Sequence, residues 1–187
     1  NTLTNFSLVQ AANTSVSFRA ITPLTSLSFH LTDPTSINNV LGLDASIDIN
    51  STDPVANINQ GNAYKFLYER GNQVTLLIYS LQSALNDLNN TQDTSEAYFS
   101  ALASTLSTQF DASSEAVNIE SQAFIDSYVD LVTTNITSTM SSADIANIKN
   151  VLKAIMPVVS VREDSSVTTA ITNFITGGFV TDFISIA

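Results

Sequence analysis

The chain has 187 residues, of which 44% are hydrophobic, so it is long enough for one domain with a sizeable core. It carries 6 Lys and Arg against 17 Asp and Glu, which gives a net charge of −11. Because phosphate groups are bound by clustered cations, this balance argues against a nucleic-acid partner and against an anionic membrane surface. The absence of Cys excludes disulfides and thiolate metal sites.

The composition is typical of an exported protein. Only 12% of the residues are charged, and Ser, Thr and Asn supply most of the polarity. No run of 18 or more apolar residues occurs, so no transmembrane segment is predicted. The sequence begins without Met, and we expect a chain processed or excised from a longer protein. We therefore expect an extracellular, cell-surface location, and the alternative is an ordinary acidic cytosolic domain. Five N-x-S/T sequons would matter only in a glycosylating host: Asn5, Asn13, Asn50, Asn89 and Asn135.

Residues 1–21 alternate in the manner of β-strands. Phe6 and Leu8 alternate with polar neighbours, and Val16 and Phe18 do so again after a short polar linker. This pattern predicts a β-hairpin. An isolated hairpin is only marginally stable in water. We therefore expect this one to pack on helices or to join a sheet supplied by a preceding domain or another subunit.

Three dipeptides pair a capping residue with proline, which is the signature of a helix start: Thr22-Pro23, Asp33-Pro34 and Asp53-Pro54. The first predicts a short helix to about Leu31. The second predicts another short helix, which Gly42 ends. The third predicts a short turn ahead of a much longer helix.

The longest predicted element is a helix over residues 62–88. Its core-facing residues follow one another in steps of three or four, the spacing of one helix face: Ala63, Leu67, Gly71, Val74, Leu77, Leu81, Leu85 and Leu88. A glycine inside a helix is unfavourable by roughly 1 kcal/mol relative to alanine. We expect Gly71 to mark close helix packing or a kink.

Three further helices are predicted, each with a recognisable boundary. A capping box at residues 93–96 opens the first. The second is predicted over residues 114–136 from its apolar spacing. In the third, Ser141 and Asp144 cap the start, and Pro157 stops the helix.

A last helix is predicted over residues 167–176, and the strongly apolar residues 179–187 follow it. The predicted fold class is mainly α: a helical bundle of about six to seven helices with a short N-terminal β-hairpin. We expect a β-hairpin element at residues 1–21, as part of an intersubunit or preceding-domain sheet, and a helical domain at residues 22–187.

Few residues point to chemistry. His30 is the only histidine, and zinc needs several nitrogen or sulfur ligands, so we expect His30 to be structural or exposed. Asp126 and Asp130 lie four residues apart, and we expect a solvated helix face rather than an acid/base pair. No nucleophile elbow, phosphate loop or dinucleotide motif occurs. We predict no catalytic residues, no cofactor and no enzyme.

An oxygen-rich loop ahead of the long helix is the one candidate metal site. Asp48, Asn50 and Asp53 would be the ligands, since their spacing begins like a calcium-binding loop. Such a loop needs glycine at its sixth position and glutamate at its twelfth, where this chain has Asp53 and Asn59. We therefore favour capping and turn formation, and we predict no bound metal.

Residues 21–88 carry a family resemblance. It rests on these stretches: Ile21-Thr22-Pro23-Leu24-Thr25-Ser26-Leu27, Val40-Leu41-Gly42-Leu43, Ile47-Asp48-Ile49, Asp53-Pro54-Val55-Ala56 and Gln73-Val74. Their order resembles a module of large bacterial exported surface proteins, adhesin-like proteins and lipoproteins, with "TPLTxL", "LGL", "D…DP" and an alanine-rich helix. The resemblance implies a non-catalytic helical module that follows a small β-domain. The chain is poor in Ala and has Tyr64, Phe66 and Tyr68 where that module has small residues.

From this resemblance we expect a non-catalytic, extracellular structural or adhesive module of a bacterial cell-surface protein. It would be the subunit of a surface filament that assembles through its termini, with other copies or other surface proteins as partners. The alternative is that residues 179–187 cover the hairpin of their own chain. The expected assembly residues come from the hairpin and from the last apolar segment: Phe6, Leu8, Val16, Phe18, Phe179, Phe183, Ile184 and Ile186.

The alternative is a secreted helical binding protein for an apolar or carbohydrate ligand. In that protein Tyr64, Tyr68 and Tyr79 would line a pocket, because aromatic rings offer large apolar faces. A pocket lined by these rings would favour the alternative, whereas packed and buried rings would not.

Overall fold

The computed structural model describes residue 8 and residues 20–89, 95–135 and 140–159. These residues are mainly helical, which confirms that part of the predicted fold class. Among them there are six α-helices and no β-strand: α1 (Pro23–His30), α2 (Ile37–Leu41), α3 (Asn62–Asn89), α4 (Ser95–Ser113), α5 (Gln122–Asn135) and α6 (Ser142–Val159).

Several predicted elements lie outside the described residues. The β-hairpin over residues 1–21 does so apart from Leu8, Ala20 and Ile21, none of which is in a strand. The helix over residues 167–176 and the apolar residues 179–187 lie outside as well. Both remain predictions.

The predicted capping residues begin α1. Thr22 has extended dihedral angles, and its Oγ1 accepts a hydrogen bond from the Thr25 N–H at 3.1 Å. The Thr25 Oγ1 in turn accepts one from the Thr22 N–H at 2.8 Å. This reciprocal pair satisfies two N–H groups that a helix start leaves without partners. Leu24 and Leu27 then turn inwards and are 2% and 0% exposed.

The end of α2 depends on a glycine, as the sequence predicts. Gly42 has a φ of 68°, in the left-handed region that residues with a Cβ rarely adopt. The N–H of Leu43 donates to the carbonyl of Asn38 at 2.7 Å, which satisfies one of the last carbonyls of the helix. A Cβ at Gly42 would lie 3.0 Å from the Cβ of Ala116, so α2 packs closely against the segment after α4.

The long helix α3 begins at Asn62, as predicted, and extends one residue beyond the predicted end. It packs against α1, α4 and α6, so it contributes to most of the bundle. Its inward residues include five that are fully buried: Val74, Leu77, Ile78, Leu81 and Leu85. Full burial of each such side chain stabilises the fold by about 1.5–3 kcal/mol, so this stripe contributes substantially to the core.

Aromatic residues of α4 and α5 form the other half of the core. Tyr98 and Phe99 of α4 pack with Phe124 and Tyr128 of α5, and all four side chains are at most 1% exposed. The Tyr128 hydroxyl donates to the Tyr98 carbonyl at 3.4 Å. Burial raises the pKa of Tyr128 well above its usual range, so its hydroxyl stays protonated as a donor.

The predicted start of α5 at residue 114 is wrong, because residues 114–121 form an irregular connection instead. Val117 and Ile119 are both buried, and this spacing of two residues is that of an extended chain. The Val117 N–H donates to the carbonyl of Val40 in α2 at 2.7 Å. Ser121 then caps α5, since its Oγ accepts from the Phe124 N–H at 3.1 Å.

The predicted start of α6 is confirmed and its predicted end is wrong. Ser141 and Asp144 form a reciprocal cap, with the Asp144 N–H donating to Ser141 Oγ at 3.2 Å and Ser141 Oγ donating to Asp144 Oδ2 at 2.7 Å. The helix passes through Pro157 and ends at Val159. Because Pro157 lies in the last turn, its missing N–H removes only one hydrogen bond near a helix end, and the helix tolerates it there.

Candidate functional site

An apolar groove of about 380 Å³ opens between α1 and α3, and we call it the α1–α3 groove. Residues 20–24 at the start of α1 form one wall. Ile49 and residues 52–55 of the loop before α3 form the second wall. One face of α3 completes it, with Leu67, Tyr68, Gly71 and Asn72.

Backbone and capping hydrogen bonds hold the first two walls together. The Ala20 N–H donates to the Asn50 carbonyl at 2.9 Å, which fastens the start of α1 to the loop. Asp53 Oδ1 accepts from the N–H groups of Val55 at 2.9 Å and Ala56 at 3.1 Å. The turn that Asp53-Pro54 predicts is therefore confirmed, and it presents Val55 at the mouth of the groove.

The mouth of the groove is apolar and exposed. Ile21 is 61% exposed and Val55 is 64% exposed, and both line the groove. Phe29 at 53% is the third strongly exposed large hydrophobic residue in the described part of the chain, and it lies outside the groove lining. Exposed apolar side chains that surround a concave surface are typical of an interaction site.

Only one of the three tyrosines considered for a binding pocket lines the groove. Tyr68 contributes to the third wall, next to Asn72. Tyr64 is half-buried and packs against the hydrophobic core, and Tyr79 is half-buried on α3 outside the groove lining. Sequence patterns did not predict Ile21 and Val55 as site residues, because each lies in a loop without periodicity.

The candidate calcium ligands make local hydrogen bonds. Asp48 Oδ1 accepts from the Asn50 N–H at 3.0 Å, and Asp48 Oδ2 accepts from Ser51 Oγ at 2.7 Å. Asp53 caps the following turn, as described above. Asp44 Oδ1 accepts from Ser46 Oγ and N–H, which lowers the pKa of Asp44. The loop geometry is thus explained by turns and caps. Within residues 20–89, 95–135 and 140–159, three or more His, Asp or Glu side chains nowhere gather as a metal site would require.

A polar cluster joins α3 to the start of α5. Gln73 is fully buried, and its Nε2 donates to Glu120 Oε1 at 2.6 Å and to Glu69 Oε1 at 3.2 Å. Its Oε1 accepts from Arg70 Nη1 at 2.6 Å. The Arg70 guanidinium also lies 4.5 Å from the centre of the Phe66 ring. Burial lowers the pKa of Arg70, and Glu120 and Glu69 oppose that effect. The cluster holds α3 to the connection before α5 through these contacts, and Arg70 Nε is its one buried nitrogen without a hydrogen-bond partner among the described residues.

Asp126 and Asp130 each form an ion pair with a lysine of α6. Asp126 Oδ1 lies 2.6 Å from Lys153 Nζ, and Asp130 Oδ1 lies 2.6 Å from Lys149 Nζ. Two carboxylates one turn apart on α5 therefore meet two ammonium groups one turn apart on α6. The ion pairs lie along the contact of two antiparallel helices, and the Asp126 and Asp130 side chains stay 39% and 60% exposed, as expected for a solvated face.

His30 is held between aromatic rings. Its ring stacks on Phe99 with 6.0 Å between centroids, and the Phe29 ring meets it edge-on at 5.4 Å. Burial lowers the pKa of His30, whereas the charge of Glu96 raises it. The predicted structural role of His30 is consistent with this packing.

Of the predicted assembly residues, only Leu8 is among the described residues. It is half-buried and packs against the hydrophobic core. The others lie outside the described residues: Phe6, Val16, Phe18, Phe179, Phe183, Ile184 and Ile186. Their role in assembly stays a prediction.

No protein-family model matches the chain, and neither a curated protein nor a solved structure matches it. Among the helices of the described residues, none combines the length and the apolar character that crossing a membrane requires. The case for a function of the α1–α3 groove therefore depends on its lining residues and their exposure.

Proposed function

We propose that this chain is a non-catalytic structural or adhesive module of a bacterial cell-surface protein. It acts outside the cell by binding further copies of itself or other surface proteins. The observation that carries the proposal is the α1–α3 groove, whose mouth exposes Ile21 and Val55 to solvent. Contact with a partner would remove this apolar surface from water, and each Å² so buried contributes about 25 cal/mol.

The polar residues of the described part support the same interpretation. Asp48 and Asp53 shape the loop that forms one wall of the groove, and Asp126 and Asp130 join α5 to α6. These carboxylates thus serve the fold, and the groove is mainly apolar. An apolar groove on a rigid helical bundle is sufficient for a function that consists of binding another protein.

Electron microscopy of the purified chain, with and without residues 179–187, tests the proposal. We expect the intact chain to form linear assemblies at high concentration. We expect the shortened chain to keep its helical circular dichroism signal and to form none, since residues 179–187 are the predicted assembly segment. An intact chain that stays monomeric at every concentration would contradict the proposal.

The second candidate function is binding of a small apolar or carbohydrate ligand in the same groove. The observation in its favour is that the Tyr68 ring lines the groove together with the Asn72 amide. Pockets for small ligands commonly combine an apolar lining with a few polar groups.

Thermal unfolding in the presence of oligosaccharides and small aromatic compounds tests this second candidate. Since a ligand that binds only the folded state stabilises it by RT ln(1 + [L]/Kd), a true ligand raises the Tm. We expect Tyr68→Ala to abolish that rise and Tyr79→Ala, outside the groove lining, to preserve it. A set of compounds that leaves the Tm unchanged would remove this candidate.

A further inference from the structure

The apolar exposure of the described residues is concentrated at the α1–α3 groove. Ile21 and Val55 line it, and Pro23 and Pro54 add two further apolar residues to its walls. The side chains of Ile21 and Val55 are exposed at the edge of the groove. The groove therefore fits an extended apolar segment better than a charged one.

Residues 179–187 have the matching chemistry. Their sequence, Phe-Val-Thr-Asp-Phe-Ile-Ser-Ile-Ala, contains a single charged side chain, Asp182. Apolar residues separated by a single polar one, as in Ile184-Ser185-Ile186, are typical of segments that dock in an extended form. The volume of the groove is that of a pocket for small apolar groups, so it suits anchoring side chains of this segment.

The last described helix, α6, ends at a defined place in the bundle. The ion pairs Asp126–Lys153 and Asp130–Lys149 show that α6 runs antiparallel to α5. The end of α6 at Val159 therefore lies near the start of α5. That start is held to α3 through Glu120, which accepts a hydrogen bond from Gln73.

The start of α5, near which α6 ends, and the α1–α3 groove lie on different sides of α3. Gln73, with Arg70, faces the start of α5, whereas Tyr68, Gly71 and Asn72 face the groove. With 3.6 residues per turn, these two sets are about 180° apart around the helix axis. The end of α6 and the groove thus lie on opposite sides of α3.

We propose that the α1–α3 groove of one copy binds residues 179–187 of a neighbouring copy. The inference rests on the proposed function and names its contact surface. If residues 179–187 extend from the side on which α6 ends, they and an acceptor on the opposite side form a heterologous contact, which repeats from copy to copy without closing. The predicted helix over residues 167–176 spans about 15 Å. The other nine residues between Val159 and residue 179 span up to about 30 Å when extended, which is enough to reach another copy.

Disulfide trapping in the full chain tests the contact, because the natural sequence has no Cys. The test variant carries Val55→Cys at the mouth of the groove and Ser185→Cys, which keeps Ile184 and Ile186 intact. The matched control carries Phe29→Cys with Ser185→Cys, since Phe29 is similarly exposed and lies outside the groove lining. Each single variant is oxidised in parallel to measure pairing between identical positions.

We expect oxidation of the test variant to give a ladder of covalent oligomers on a denaturing gel. The control and the single variants should give no ladder. A disulfide within one chain, seen as a faster-migrating monomer, would overturn the neighbouring copy as the source of the segment. Cross-linking no greater than in the Phe29 control would overturn the groove as the acceptor.

Electron microscopy of the unmodified chain separates this inference from the proposed function. If the chain assembles but the groove does not cross-link, the groove contact is wrong and the proposed function stands. If the unmodified chain does not assemble, both fail together.

Discussion

Gln73 and Glu120, 47 positions apart in the sequence, meet through a hydrogen bond of 2.6 Å between Nε2 and Oε1. The amide of Gln73 is fully buried, and the Glu120 carboxylate lies 3.5 Å from the Arg70 guanidinium as well. One carboxylate thus serves two donors of α3. This relationship fastens the start of α5 to the helix that carries the groove.

Replacing Glu120 by alanine should therefore destabilise the fold. The change removes the nearer of the two acceptors of the buried Gln73 amide and a carboxylate that faces the Arg70 cation, which costs about 1–3 kcal/mol. Chemical denaturation measures the loss. The control is Glu115→Ala on the same connection, where the side chain is exposed and we expect a change within about 0.5 kcal/mol. Equal effects of the two variants would mean that the cluster does not fasten α5.

Truncation of Leu77 tests the central position of α3. Leu77 is 0% exposed, so Leu77→Ala should reduce the free energy of unfolding by about 2–5 kcal/mol. Ser104→Ala on the exposed face of α4 is the control and should stay within about 0.5 kcal/mol. If Leu77→Ala lowers the free energy of unfolding by no more than Ser104→Ala does, the long helix is not central.

Two glycines should respond to alanine in opposite ways. Gly42 needs its left-handed conformation, and an added Cβ would meet Ala116 at 3.0 Å. Gly42→Ala should therefore be destabilising by at least about 1–2 kcal/mol. At Gly71 the added Cβ would lie 4.0 Å from Leu24 Cγ, an ordinary contact, so Gly71→Ala should be stabilising by up to about 1 kcal/mol. A Tm for Gly42→Ala above that of Gly71→Ala would contradict the packing described for both glycines.

His30 should make the stability depend on pH. Burial lowers its pKa in the folded protein below the value of 6.5 that it has when unfolded. The unfolded chain then binds more protons near that pH, so the stability that His30 contributes is present above pH 6.5 and is lost as the pH falls. The fall in Tm from about pH 7.5 to pH 5.5 should be smaller in His30→Gln than in the unmodified chain. An identical fall in both proteins would show that His30 does not contribute.

The sequence predicts the elements whose causes are local. The apolar stripe of α3 has a clear period over eight turns, and the caps at Thr22 and Ser141 depend on residues within one turn. The start of α5 depends instead on Val117 binding the backbone of Val40, a contact between distant residues that no local pattern reveals. The Ser121 cap is the signal from which the true start could have been found.

The candidate site was predictable only in part, for a related reason. Tyr68 stands out in the sequence because it is an aromatic residue on a periodic helix. Ile21 and Val55 come from loops, and only the hydrogen bond between Ala20 and Asn50 brings those loops together. Similarly, the partners of Asp126 and Asp130 depend on the register of α6, although the matching spacing of Lys149 and Lys153 is visible in the sequence.

Light scattering of groove variants tests the central claim most directly. A charge at the apolar mouth should oppose burial of that surface, so Val55→Asp should prevent assembly. Phe29→Asp is the matched control, since it places the same charge on a similarly exposed hydrophobic position outside the groove lining. We predict that the unmodified chain and Phe29→Asp show masses that rise with concentration above the 20.0 kDa of one chain, while Val55→Asp stays at that mass. Equal assembly of Val55→Asp and the unmodified chain, or a monomer in every case, would contradict the account.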